Sequence, residues 1–175
     1  SEIRAGFGQI DDVNWTQSLE RASEMTVQTL KANKKIMFAG NGGSAADAQH
    51  MAGEFVSRFE FDRPGLPGLA LTVDSSILTA CSNDYGYETV FSRQIQALGN
   101  SGDLFWGYTT SGKSENIINA AETAKKKGMQ VIIYCGSYTK NFEGIADVII
   151  SINSNRTPRI QEWHLISGHI VCGTV

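Results

Sequence analysis

The 175 residues contain only three histidines, and their neighbours decide what chemistry they can reach. His50 and Glu54 stand four apart in Ser44-Ala45-Ala46-Asp47-Ala48-Gln49-His50-Met51-Ala52-Gly53-Glu54, a spacing that stacks them on one helix face. An imidazole above a carboxylate can ligate a metal ion, and it can equally be an ordinary surface pair. The spacing leaves both readings open. His164 and His169 lie with Gln161 in a second segment, Arg159-Ile160-Gln161-Glu162-Trp163-His164-Leu165-Ile166-Ser167-Gly168-His169. Gln161 and His169 are separated by about 12 Å of helix rise, so only two long side chains leaning together would share one ion. If they do, His50, Glu54, Gln161 and His169 supply N and O ligands suited to tetrahedral zinc. His164 need not face the same way, and a packing role suits it at least as well.

Two further stretches suit an anion. Asn41-Gly42-Gly43-Ser44 and Thr109-Thr110-Ser111-Gly112-Lys113-Ser114 each follow a short apolar run and precede a helical pattern. Free N–H groups at a helix N-terminus attract phosphate, and Ser and Thr hydroxyls donate to its oxygens without adding bulk. Neither stretch has the spacing Gly-x-x-x-x-Gly-Lys-Ser/Thr, and no Gly-x-Gly-x-x-Gly follows either run, which removes the usual support for a nucleoside triphosphate or dinucleotide. The plain alternative for each turn is a helix N-cap. Two such turns at the carboxyl edge of one sheet favour a shared phosphoryl group.

These residues need a scaffold, and the hydrophobic pattern describes one. Leu19, Ala22, Met25, Val27 and Leu30 recur at helical spacing and predict an amphipathic helix over 13–32, after an Asp11-Asp12 cap. Apolar runs predict strands over 34–39, 68–73, 103–108, 130–134 and 147–152. Helices are expected from Ser44 onward and over 87–98, 115–127 and 159–175, with residues 63–68, rich in proline and glycine, forming a loop. Near-continuous apolar strands alternating with helices imply a parallel sheet covered on both faces. The expected fold is a three-layer α/β sandwich of about five strands, one domain over 1–175. The last helical pattern reaches the end of the sequence with no evident capping glycine, which predicts a longer native chain.

Composition bounds the function. With 41% hydrophobic residues the chain can bury one sizeable core. A net charge of −3 leaves no electrostatic footprint for nucleic acid, and no apolar run approaches a bilayer span. Cys81, Cys135 and Cys172 match neither a disulfide framework nor a zinc-finger spacing and read as reduced core thiols. Ser1-Glu2-Ile3 opens no signal-peptide pattern, so the cytoplasm is expected. Trp15, Trp106 and Trp163 read as core or subunit-interface aromatics. Lys125-Lys126-Lys127 reads as a solvated helix end, and Lys113 as a cation that could steer an anion.

Taken in order, Gly40-Asn41-Gly42-Gly43-Ser44-Ala45-Ala46-Asp47-Ala48-Gln49-His50, Arg63-Pro64-Gly65, Asn83-Asp84, Thr110-Ser111-Gly112-x-Ser114 and Arg159-Ile160-Gln161-Glu162-x-His164 resemble the sugar isomerase (SIS) domain family, and within it the phosphoheptose isomerases. The resemblance implies an aldose–ketose isomerase acting on sedoheptulose 7-phosphate for bacterial surface heptose in lipopolysaccharide. It also implies one Zn2+ per subunit and a homotetramer with active sites at subunit interfaces, the helix over 13–32 serving oligomerisation. Carried over by position, substrate contacts fall on Asn41, Gly42, Gly43, Ser44, Arg58, Asn83, Asp84, Thr109, Thr110, Ser111, Ser114 and Gln161. The metal ligands fall on His50, Glu54, Gln161 and His169, and the acid/base pair on Glu54 and His169. Pro158 stands where some relatives carry Asp. The alternative is a non-catalytic SIS-domain protein, a sugar-phosphate sensor or a replication-initiator-binding adaptor. That adaptor lacks the equivalents of Glu54 and His169, and keeping two costly polar groups favours an enzyme.

Overall fold

The computed structural model describes residues 8–175. Five strands, β1 (Ile36–Ala39), β2 (Gly68–Ala70), β3 (Leu104–Thr109), β4 (Gln130–Cys135) and β5 (Val148–Ser151), pair in parallel in the order β2-β1-β3-β4-β5. The helices are α1 (Val13–Lys31), α2 (Gly43–Val56), α3 (Ser75–Tyr85), α4 (Val90–Leu98), α5 (Glu115–Lys126) and α6 (Thr157–Cys172). Alternation along each strand splits the core in two. Phe38, Trp106, Tyr108, Ile132, Tyr134 and Ile150 pack with residues of α1, α2 and α6. Met37, Ala39, Phe105, Ile133 and Cys135 pack with residues of α4 and α5. This is the expected three-layer sandwich, and no described helix is long and apolar enough to cross a membrane. The order reverses between β1 and β3, so the carboxyl ends of those two strands form the switch point where open α/β sheets bind ligands.

Capping sets where the helices begin. Asp12 accepts from the N–H groups of Asn14 (2.9 Å) and Trp15 (3.4 Å) and starts α1 where the sequence places it. Asp12→Ala should cost about 1 kcal/mol, seen as a fall of about 2–4 °C in the thermal midpoint; an unchanged midpoint would remove the cap from the stability argument.

Four expectations need correction. The strand expected over 68–73 stops at Ala70: it is an edge strand paired only with β1, which ends at Ala39, and after Leu71 N–H reaches Phe38 O the ladder has no partner to continue on. Helix α3 was not expected, because none of its residues is fully buried and its apolar face is short, only Leu78 and Cys81 packing against the core; Asp74, accepting from Ile77 N–H at 2.9 Å, starts it. Cys81 lies on this helix and is only half-buried, unlike Cys135 and Cys172. The final helix does not run on: it ends at Cys172 with Gly173 at its cap, Gly173 N–H returning to His169 O.

Candidate active site

The first turn leaves β1 at the switch point and enters α2 through Gly42, whose φ of +57° a side chain would strain. The second leaves β3, whose last residue is Thr109, and enters α5 after Ser114. Neither α2 nor α5 has a side-chain N-cap, whereas α1 and α3 do. The N-cap alternative therefore fails for both turns, and their hydroxyls are engaged otherwise. Thr109 Oγ1 and Ser114 Oγ lie 2.9 Å apart in a hydrogen bond, and Lys113 N–H donates to Ser111 Oγ. Ser44 and Thr109 are buried.

Asn41 is fixed from two sides. It exchanges amide hydrogen bonds with Asn116, at 2.9 and 2.8 Å, and accepts from the Tyr87 hydroxyl at 2.9 Å. The two turns meet at a cavity of about 380 Å³ lined by Asn41, Tyr87, Ser114 and Asn116, with Glu88 and Glu115. Thr110 and Ser111 line another, of about 260 Å³, with Lys113, Ser137, Asn155 and Thr157. Asn116 and Tyr87 escaped the sequence reading; the one signal for Asn116 is a buried amide in a helix's first turn, which needs a partner, and burial is not visible in sequence. Arg58, Asn83 and Asp84, expected at the substrate, are exposed and line neither cavity. Asn83 donates to Asp84 at 2.8 Å on the last turn of α3.

Gln161 lies against Gly43, where a Cβ would come 2.4 Å from its Nε2. Gly43→Ala would therefore force the turn or the amide aside. The amide is the free end of a flexible side chain and gives way at little cost to stability. A hydrogen bond it makes to a bound ligand, worth about 0.5–1.5 kcal/mol, would be lost, so the substitution should weaken phosphate-ester binding by up to about tenfold; calorimetric titration checks this, and unchanged affinity would take the Gln161 amide out of the site.

Helices α2 and α6 pack together where Gly168 meets Met51, a Cβ there standing 2.7 Å from the sulfur. That closeness brings His169 to His50 and Glu54. Their ligand atoms lie within 4.8 Å of one another, with His50 Nε2 3.0 Å from His169 Nε2 and 3.1 Å from Glu54 Oε1. Ligands on a zinc ion at bonds of about 2.0–2.1 Å are about 3.3 Å apart at tetrahedral angles, so two imidazoles and a carboxylate at these separations fit a zinc ion. Burial, then the neighbouring His50, pushes the His169 pKa down, with Glu54 opposing, which favours the neutral ring that a ligand or base requires.

His164 does not join them. It is fully buried, its ring 5.7 Å from that of Tyr108 and 5.9 Å from that of Tyr134. The packing role is the correct one, and burial drives its pKa down to about 4.

The chain belongs to the SIS-domain family, which matches residues 7–135. Within it, the similarity is to the phosphoheptose isomerases. The phosphoheptose isomerase of Burkholderia pseudomallei (strain 1710b) is 54% identical over 172 residues, 98% of this chain and 87% of that one. That of Aneurinibacillus thermoaerophilus is 54% identical over 175 residues, covering 100% and 88%. The structure of phosphoheptose isomerase GmhA from Neisseria gonorrhoeae superposes with a TM-score of 0.89 at 39% identity, over 98% of this chain and 91% of that chain.

Proposed function

We propose that the protein is an aldose–ketose isomerase converting sedoheptulose 7-phosphate to D-glycero-D-manno-heptose 7-phosphate. The observation that carries this reading is the convergence of His50, Glu54 and His169 on one point between α2 and α6, on helices whose first turns flank the glycine turn. In the proposed pose the phosphate takes hydrogen bonds from Ser44, Thr110, Ser111, Ser114 and N–H groups in the first turn of α5, while Asn41 and Gln161 hold sugar hydroxyls. Glu54 removes a proton from C1 and returns it to C2, and His169 carries the proton leaving O1 to O2, with an enediol between the two steps. The contact of Glu54 with His50 uses Oε1, which leaves Oε2 for the substrate proton.

His50, Glu54 and His169 would hold Zn2+; the amide of Gln161, the expected fourth ligand, is seated against Gly43 and is assigned to the sugar instead. Bound there, zinc would supply Lewis-acid polarisation of the carbonyl. A homotetramer is the proposed assembly: Ile10, Val13, Ile166 and Ile170 are exposed, and Ile10 and Ile170 line an apolar cavity with Trp15 and Leu19. The proposed setting is the cytoplasm, in bacterial surface heptose biosynthesis. NMR-monitored conversion of sedoheptulose 7-phosphate, with and without added zinc, is the test. Turnover supports the isomerase; binding without turnover under both conditions would instead support a sugar-phosphate sensor, which nothing in the site favours.

A further inference from the structure

The segment after α2 turns back over the site in a costly way. Phe61 N–H donates to Phe59 O at 2.7 Å, closing a three-residue turn about Glu60, whose φ is +58°. A non-glycine residue in that region is strained and persists only where its surroundings hold it. What the turn achieves is the placement of Phe59: its ring lies 5.5 Å from that of His169 at 20°. Two residues beyond the turn, the Arg63 guanidinium spans the end of α2, Nη2 donating to Glu54 O and Nη1 to Phe55 O, both at 2.9 Å. Leu66 N–H adds a second bond to Phe55 O. Helix ends leave such carbonyls without intrahelical donors, and a planar fork satisfies two at once.

We infer that residues 59–63 form a positioning clamp for both acid/base groups, Phe59 setting the plane of the His169 ring and Arg63 holding the helix turn that carries Glu54. The inference rests on the roles proposed for Glu54 and His169. Neither Phe59 nor Arg63 touches the reacting atoms; each acts through a neighbour. Small displacements of catalytic groups are expensive in rate, so the clamp should appear in kcat.

The test compares sedoheptulose 7-phosphate turnover in wild type, Phe59→Leu, Phe59→Tyr, Arg63→Gln and Arg63→Lys, together with the imidazole proton resonances of His169. Phe59→Leu and Arg63→Gln should lower kcat about tenfold or more with KM within about twofold. Phe59→Tyr, which keeps the ring, should restore kcat, and Arg63→Lys, with a single ammonium, should restore it in part. The His169 resonances should shift in Phe59→Leu, where the ring current is lost, and return in Phe59→Tyr. Lowered thermal midpoints with normal kcat would make the segment merely structural and overturn the clamp, as would unshifted His169 resonances in Phe59→Leu. A wild type that turns over nothing would defeat the proposed function instead, and the resonance comparison would still decide whether Phe59 lies against His169.

Discussion

Glu54→Gln should bind sedoheptulose 7-phosphate and turn it over about 10²-fold or more slowly than wild type, the loss expected when a positioned acid/base group is removed. The substitution isolates the proton. Glutamine keeps the length and shape of the side chain on α2 and can still approach His50, whose Nε2 lies 3.1 Å from Glu54 Oε1, yet it cannot accept a proton from carbon. Solvent deuterium gives a sharper reading than rate: wild type should exchange label into the substrate at C1 or C2 during turnover, and Glu54→Gln should not. His169→Gln should also lower kcat about 10²-fold, because the oxygen-to-oxygen transfer has lost its carrier. Near-normal turnover in either variant would end that assignment. The affinity of both variants for the sugar phosphate should stay near wild type, since the phosphate is assigned to the turns that open α2 and α5 and not to either residue.

Acid should destabilise the protein through His164, and the sign follows from the direction of its shift. The folded ring ionises near pH 4 because burial disfavours its charge, against an unperturbed value of 6.5. Between those values the unfolded chain binds a proton that the folded chain refuses, so stability is full above about pH 6.5 and falls as pH drops toward 4. At about 1.4 kcal/mol per unit, the window is worth about 3 kcal/mol. Asp47 works the other way. Burial raises its carboxyl to about 6, with His50 opposing, so between pH 3.8 and 6 the folded state holds a proton that the unfolded state has released, and stability falls as pH rises. His164 wins because it is fully buried while Asp47 keeps partial solvent access. Urea unfolding at pH 7 and pH 4.5 should show a net loss in acid, a larger one in Asp47→Asn, and a gain in His164→Phe, where the Asp47 contribution stands alone. A flat wild-type profile that stays flat in Asp47→Asn would refute the argument.

Which parts were legible in sequence follows from how local their causes are. The His50 and Glu54 pair is set by helix geometry alone. That His169 joins them depends on Gly168 letting α6 approach Met51 of α2, a tertiary event that spacing does not contain. His164 parts from His169 for a local reason: five residues at about 100° each leave them about 140° apart around the helix, one toward the core and the other toward the site. Strand β3 was plain because its residues are buried throughout, whereas the end of β2 depends on where its partner stops. Helix α3 presents only a short apolar face, Leu78 and Cys81, between polar residues, and Asp74 is its clearest start signal. The glycine and hydroxyl turns are evident from composition; that they leave their helices uncapped depends on where their hydroxyls point once the chain is folded.

Helices α2 and α6 carry a dimension as well as ligands. Ser44 stands in the first turn of α2 and His50 six residues on, about 9 Å along the axis. In α6, Gln161 touches the glycine turn and His169 lies in the histidine cluster, about 12 Å further along. Two rigid rods thus carry matching marks. A sugar anchored by its phosphate at one mark presents its carbonyl to the other only if its carbon chain spans the interval, so chain length becomes a criterion of selection independent of any hydroxyl's configuration. The backbone would act as a gauge, passing over shorter ketose phosphates because their reactive end falls short of Glu54 and His169.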